Sequence, residues 1–96
     1  MLVLVTYDVS TESKAGRRRL RRVCGVCKNY GQRVQRSVFE CVVGDKELVI
    51  LRDRLQSEMD TAEDSVRLYF LDEGSRCKTE HYGVDRPVDL EGPLMV

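Results

Sequence analysis

The first residue whose chemistry stands out is Asp8, because it ends a run that is otherwise apolar. Residues 2–7 read Leu-Val-Leu-Val-Thr-Tyr, which predicts a central strand buried on both faces. A carboxylate at the end of such a strand can ligate a hard cation such as Mg²⁺. It can equally cap the turn that follows. One chain offers a single such carboxylate, whereas a symmetric dimer would offer two.

Three consecutive arginines, Arg17, Arg18 and Arg19, follow close behind Asp8 at the predicted start of a helix. Cations at a helix N-terminus interact unfavourably with the helix dipole, at a cost of a few tenths of a kcal/mol. Arginine can bind phosphate through two parallel hydrogen bonds. Phosphate binding would therefore explain why these arginines lie at an unfavourable end of the helix. A solvated basic helix face is the alternative interpretation.

The cysteines and the histidine give weaker signals. Cys24 and Cys27 match a C-x-x-C pattern, but both lie on a predicted apolar helix stripe and no second pair completes a zinc site, so we expect core packing. Cys41 and Cys77 have no clear partner.

His81, the single histidine, is far from Asp8 in sequence and is expected to be structural. Phosphate-binding loops, dinucleotide glycine patterns and nucleophilic triad signatures are absent from the sequence.

Charge is divided unevenly between the two halves of the chain. Residues 1–43 contain nine basic and three acidic residues, whereas residues 44–96 contain seven basic and thirteen acidic residues. The first half is therefore positive and the second half negative, and the net charge of the chain is zero. This asymmetry is typical either of a surface that faces a polyanion or of a solvated helix face.

The length of 96 residues predicts one domain that spans residues 1–96. We find neither a signal peptide nor an apolar run of about 18 residues that could cross a membrane. A cytoplasmic protein with reduced thiols and no membrane contact is therefore expected.

Periodicity predicts two helices. The first covers residues 14–30, with Ser10, Thr11 and Ser13 as possible N-caps and Gly31 as the residue after its end. Its apolar face is formed by Leu20, Val23, Cys24, Cys27 and Tyr30. The second starts after Asp45 as N-cap and runs to about residue 60. Its apolar stripe is formed by Leu48, Leu51, Leu55 and Met59.

The remaining elements are strands. Residues 33–35 and 38–43 predict a hairpin that bends near Arg36, residues 65–71 predict a further strand, residues 72–75 a turn, and residues 77–82 a short last strand. The tail from residue 83 carries both prolines. The order β-α-β-β-α-β with a short extra C-terminal strand predicts an α+β, ferredoxin-like fold with both helices on one side of a mainly antiparallel sheet. That fold hosts many functions.

Three segments resemble a known family. They are Leu-Val-Thr-Tyr-Asp-Val at 4–9, the arginine-rich helix start, and Asn-Tyr-Gly-Gln-Arg-Val-Gln-Arg-Ser-Val-Phe-Glu-Cys at 29–41. The chain resembles the second of the two universal CRISPR-associated spacer-acquisition proteins, a family of small nucleases. In detail its sequence is most similar to subtype I-C.

The resemblance implies a homodimer in which Asp8 faces its twin across the two-fold axis and binds Mg²⁺, or Mn²⁺ in its place. It implies an endonuclease acting on single-stranded RNA or double-stranded DNA, and a partnership with the CRISPR-associated integrase. Asp8 would then be the catalytic and metal-binding residue. The residues implied to contact nucleic acid are Arg17, Arg18, Arg19 and Arg33. Tyr7 and Phe39 would support the site, although core packing is the simpler expectation for both aromatic rings.

Several functions remain open at this level. The first is a metal-dependent endonuclease of the CRISPR adaptation machinery, and the second is a non-catalytic dimeric DNA-binding scaffold that bridges integrase dimers. A toxin-like messenger-RNA interferase is a third, because toxins of that kind share the fold. A small-ligand regulatory module ranks last, because the sequence has no glycine-rich ligand loop.

Overall fold

The computed structural model describes residues 1–71 and 78–84, which form two helices and one antiparallel sheet. The strands are β1 (Leu2–Asp8), β2 (Gly31–Gln35), β3 (Val38–Val42), β4 (Ser65–Phe70) and β5 (Lys78–Gly83), and the helices are α1 (Lys14–Lys28) and α2 (Asp45–Glu58). The sheet order is β2-β3-β1-β4-β5. Because β3 lies between β1 and β2, the β1-α1-β2 unit is a split crossover. The predicted order of elements and the antiparallel sheet are confirmed. Cys77, the predicted turn at 72–75 and the tail beyond Val84 lie outside the described residues.

Helix α1 starts where a serine can satisfy its first free amides. The Ser13 hydroxyl accepts a hydrogen bond from the Gly16 N–H at 3.0 Å, so Ser13 is the N-cap. The predicted C-terminus is wrong by two residues. Asn29 and Tyr30 donate to Val26 O and Cys27 O in a tightened right-handed last turn. Gly31 is therefore the first residue of β2 and does not end the helix.

Helix α2 departs from the prediction at both of its ends. Gly44, rather than Asp45, is the N-cap, and the Glu47 carboxylate accepts its N–H at 3.0 Å. The helix ends at Glu58, before the predicted residue 60. The predicted apolar stripe is confirmed: Leu48, Leu51, Leu55 and Met59 are all buried.

The core lies between the two helices and one face of the sheet. Val3, Val5 and Tyr7 of β1 point into it, and Val23, Val26 and Cys27 of α1 cover them, together with the buried leucines of α2. Val26, which the helical pattern missed, belongs to this set. We refer to this face of the sheet as the inner face.

The opposite face of the sheet, which we call the outer face, is not covered by any described part of the chain. Leu2, Leu4 and Thr6 of β1 lie on it and are half-buried. The prediction that β1 is buried on both faces is therefore wrong within one chain, because both helices lie on one side. Cross-strand partners of these residues place Val42 and Tyr69 on the same face, and Val42 is 75% exposed.

Candidate functional site

Asp8 is the last residue of β1 and its side chain is exposed. It pairs with Ser65, the first residue of β4. Because side chains alternate along a strand, Asp8 follows Leu4 and Thr6 on the outer face, at the edge where the strand ends. The predicted carboxylate therefore stands at the surface, within reach of solvent or of a ligand.

A groove of about 700 Å³ begins at Asp8 and runs between α1 and the β2–β3 hairpin. Helix α1 supplies one wall and the hairpin supplies the other. The charged residues that line the groove are Asp8, Arg21, Lys28, Arg33 and Arg36. Four cations and one carboxylate make this surface strongly positive, which suits a chain of phosphates.

Three of these cations, Arg21, Lys28 and Arg36, were not among the predicted site residues. Arg21 and Lys28 are seven residues apart, so they share one helix face, with Gly25 between them. The seven-residue spacing is visible in the sequence and could have placed both cations on one surface. The hairpin turn at residues 36–37 brings Arg36 to the opposite wall, and nothing local in the sequence shows this approach.

Arg33 is an exposed residue whose guanidinium is nevertheless held in place. Its Nη2 donates to Cys24 Sγ at 2.6 Å, and its Cζ lies 5.4 Å from the centre of the Phe39 ring. The strand pairing shifts between Arg33 and Gln35, so the hairpin is irregular just after Arg33. Phe39 is fully buried, so its ring packs in the core beneath the arginine and can form a cation–π contact with it.

Tyr7 lies on the inner face, next to the ring of Phe39 that contacts Arg33. Its ring stacks against Phe39 with 6.2 Å between centroids, and its hydroxyl donates to the backbone carbonyl of Arg36 at 3.3 Å. Burial, reinforced by a hydrogen bond with Cys24, raises the pKa of Tyr7 far above its ordinary value. The phenol therefore keeps its proton at neutral pH and acts as a support for the hairpin.

The three consecutive arginines are not brought together at the groove. Arg17 donates to Thr11 O at 3.2 Å, and Arg18 is exposed. Arg19 instead contacts two acids that precede β4, with its Nε 2.8 Å from Asp64 and its Nη2 3.2 Å from Glu63. Its guanidinium is thus committed to a contact inside the protein, which the sequence did not indicate.

The buried cysteines are not suited to nucleophilic chemistry. Burial raises the pKa of Cys27 to about 12 and that of Cys41 to about 11, so both are thiols at neutral pH. Cys24, Cys27 and Cys41 are all free of disulfides.

His81 lies on β5, where Ser65 Oγ is 3.1 Å and Val84 O is 2.9 Å from its Nε2. A carbonyl only accepts, so Nε2 carries the hydrogen in this contact. His81 thus ties β5 to β4, as a structural histidine would.

The donor chemistry around Asp8 is compatible with a hard cation only in part. A carboxylate oxygen is a ligand that Mg²⁺ accepts, and Mg²⁺ often uses one or two carboxylates completed by water and phosphate oxygens. Within residues 1–71 and 78–84, no group of three His, Cys, Asp or Glu side chains could hold a metal ion. Asp8 alone would therefore hold such an ion weakly, and a second copy of the chain would double the carboxylate count.

No helix in the described part of the chain is both long enough and apolar enough to cross a lipid bilayer.

Comparison with known proteins gives consistent matches. The family model described as "CRISPR associated protein Cas2" matches residues 1–79. A "CRISPR-associated endoribonuclease Cas2" of Chlorobaculum tepidum is 57% identical over 96 residues and covers 100% of both chains. A "CRISPR-associated endonuclease Cas2" of Halalkalibacterium halodurans is 50% identical over 95 residues and covers 99% of each. The crystal structure of Streptococcus pyogenes Cas2 at pH 6.5 superposes with a TM-score of 0.71 at 54% identity, covering 77% of this chain and 89% of the other.

Proposed function

The chain belongs to the family of the CRISPR-associated protein Cas2, and from this premise we propose that it is a metal-dependent endonuclease that hydrolyses phosphodiester bonds of single-stranded RNA or double-stranded DNA. It would serve the CRISPR adaptation machinery together with the integrase. The names of its relatives support a nuclease role in CRISPR. The observation that carries the proposal is the exposed carboxylate of Asp8 at the end of a groove whose other charged residues are all cations.

The charge arrangement itself favours a metal at Asp8. Arg21, Lys28, Arg33 and Arg36 would attract a phosphate backbone into the groove. A lone carboxylate at that place repels phosphate, so it would weaken binding if it acted alone. A divalent cation held by the Asp8 carboxylate would offset this repulsion, because it would reverse the sign of the charge at that place. Mg²⁺ is the expected ion, and Mn²⁺ the alternative, because both accept oxygen ligands.

We propose that the working unit is a homodimer. The outer face carries an uncovered apolar patch formed by Leu2, Leu4, Val42 and Tyr69, and the exposed Leu71 directly follows β4. Val42 is 75% and Leu71 is 42% exposed, which is unfavourable in a lone chain. A two-fold contact through this face would bury the patch and place the two Asp8 residues on the same shared surface.

Each residue of the site then has a physical task. Arg33, held by Phe39 and Cys24, would donate to a phosphate oxygen and offset the negative charge that develops during hydrolysis. Tyr7 would keep the Arg36 backbone, and so the hairpin wall, in place. Arg17 and Arg18 lie outside the groove lining and would extend the basic surface along α1. A divalent ion at Asp8, when bound, would supply Lewis-acid polarisation and water activation.

A second candidate is the non-catalytic scaffold that bridges integrase dimers. The sparse catalytic inventory favours it, since the described residues contain one carboxylate at the groove and no three-ligand metal group. The basic groove would serve equally well to hold a DNA fragment without cutting it. Both functions can reside in one dimer.

The test is cleavage of labelled duplex DNA and single-stranded RNA by wild-type protein and Asp8→Asn, with Mg²⁺, Mn²⁺ or EDTA. Asp53→Asn is a matched control, because it removes an exposed carboxylate from α2 instead. We expect metal-dependent cleavage that is lost in Asp8→Asn and retained in Asp53→Asn.

Charge reversal at Lys28 or Arg36 separates cutting from holding, because these cations line the groove and supply no carboxylate that could hold a metal. Both variants should weaken binding of the nucleic acid in EDTA, when no metal is present. Cleavage that survives Asp8→Asn, or no cleavage from protein that still binds DNA, would favour the scaffold.

A further inference from the structure

Asp64 is the one charged side chain that is fully buried among residues 1–71 and 78–84. It lies immediately before β4. Burying an ionised carboxylate is costly unless hydrogen bonds and an opposite charge compensate it.

Four hydrogen bonds converge on the Asp64 carboxylate. Oδ2 accepts from Arg19 Nε at 2.8 Å and from the Asp60 N–H at 2.9 Å. Oδ1 accepts from the Ser10 N–H at 3.1 Å and, at 3.5 Å, from Arg19 Nη2. Burial alone would raise the pKa of Asp64, but these bonds outweigh it and hold the pKa below the usual range. The carboxylate is thus ionised at neutral pH.

These bonds connect Asp64 to both sides of Asp8. Ser10 lies two residues after Asp8, in the segment that joins β1 to α1. Ser65, the residue next to Asp64, is the cross-strand partner of Asp8. The loop after Asp8 and the strand opposite Asp8 are therefore fixed to one buried group.

The surroundings leave little freedom for this segment. A Cβ added to Gly16 would lie only 1.9 Å from Ser10 O, so the start of α1 presses directly on the loop. The Val84 N–H donates to Asp64 O at 2.8 Å, which connects β5 to the same point. A buried ion pair is in itself weak evidence for stability. This pair does have a geometric effect, because it fixes the loop after Asp8 and the start of β4 to the same carboxylate.

We propose that Asp64, with Arg19 as its counter-ion, is a positioning residue that orients Asp8 for a divalent cation. This inference rests on the proposed function, because it concerns the same carboxylate. It assigns Arg19 to the support of the site, whereas the sequence predicted direct contact with nucleic acid. Outer-shell groups that hydrogen-bond a metal ligand directly commonly change metal affinity about 10- to 100-fold when they are replaced. Asp64 acts on Asp8 through the backbone of Ser10, so we expect the lower end of that range.

The test measures Mn²⁺ binding directly, by paramagnetic broadening of the Asp8 amide resonance during titration with Mn²⁺ alone. Three variants are compared with wild type. Asp64→Asn keeps the size but loses the charge, Arg19→Lys keeps the charge but loses the two-nitrogen contact, and Glu63→Gln is the matched control. Glu63 contacts the same arginine but is 54% exposed, so its ion pair contributes little.

We expect Asp64→Asn and Arg19→Lys to raise the Mn²⁺ midpoint by about tenfold, and Glu63→Gln to match wild type. DNA affinity in EDTA should stay within about twofold, with an unchanged salt dependence, because none of these residues would touch phosphate. An unchanged Mn²⁺ midpoint in a folded Asp64→Asn or Arg19→Lys protein would overturn the inference.

The remaining outcomes are also decisive. Loss of the fold in both variants would assign the pair to stability alone and overturn the inference. Absence of broadening at Asp8 in wild type would overturn it together with the metal part of the proposed function. Wild-type protein that binds Mn²⁺ at Asp8 but cleaves nothing would refute the nuclease, while the midpoints of the variants would still decide the role of Asp64.

Discussion

Gly83→Ala should destabilise the protein strongly, because Gly83 meets two constraints at once. It is the only residue in the described ranges with a positive φ, at 95°. A Cβ built there would lie 2.0 Å from the backbone oxygen of Asp64 and 2.5 Å from the Met59 methyl group. The methionine can move, but the carbonyl cannot do so without disturbing β4.

The size of the effect follows from these two contributions. A left-handed backbone costs a residue with a Cβ roughly 1–2 kcal/mol, and an unrelieved overlap in a packed region costs about 1–3 kcal/mol. The free energy of unfolding should therefore fall by about 2–5 kcal/mol. Because about 1 kcal/mol shifts the melting temperature of a domain this small by about 4–8 °C, we expect a decrease on the order of 8–40 °C.

Gly25→Ala is the matched control, since it makes the same chemical change with the opposite expected sign. Gly25 lies within α1, and a Cβ there would have no neighbour within 4 Å. Alanine is favoured over glycine in a helix interior by about 0.8–1.0 kcal/mol, so this variant should be more stable than wild type.

The assay is urea unfolding followed by circular dichroism, with all three proteins at one concentration so that any dimerisation affects them equally. Gly83→Ala within about 0.5 kcal/mol of wild type would refute the reasoning, because surface changes of no consequence fall in that range. A destabilised Gly25→Ala would show that the groove wall leaves no room for a methyl group.

Three further predictions concern other contacts. Arg52→Gln removes the two hydrogen bonds from Arg52 to the Glu80 carboxylate, each 2.8 Å long. The free energy of unfolding should fall by about 1 kcal/mol, and amide hydrogen exchange in β5 should become faster. Unchanged exchange in β5 would contradict this prediction. Iodoacetamide at pH 8 should leave Cys27 and Cys41 unlabelled, because burial raises their pKa to about 12 and about 11, and labelling as fast as in unfolded protein would refute this. The stability difference between wild type and Asp64→Asn should be full above a pH of about 4, the ordinary Asp pKa. It should shrink as the pH falls below that value toward the depressed native pKa; a difference that grows in acid would contradict this prediction.

Local patterns predicted the elements of the fold well, because each depends on residues a few positions apart. The stripe on α2 and the alternation in β1 are of this kind. The burial of β1 was overestimated, because its continuous apolar run does not reveal that one face is left uncovered by the chain itself. An apolar residue facing a partner and one facing a core look alike in sequence.

The candidate site was less predictable, because it depends on distant residues. The position of Asp8 at the exposed end of an apolar strand was predictable from its immediate neighbours. Arg19 and Asp64 are 45 positions apart, and no local pattern distinguishes a paired arginine from its exposed neighbours. Arg36 lines the groove because the hairpin turn that carries it lies opposite α1.

The contacts of Arg33 have an entropic consequence. A free arginine side chain has roughly 2 kcal/mol of rotamer entropy to lose when it binds a ligand. Since the Cys24 thiol and the Phe39 ring already restrict Arg33, much of that loss occurs during folding, before any phosphate arrives. Arg21 and Lys28 are exposed cations on a helix surface and retain more of this freedom. Among the groove cations, Arg33 would thus define where a phosphate sits, while its more mobile neighbours mainly raise the local concentration of the strand.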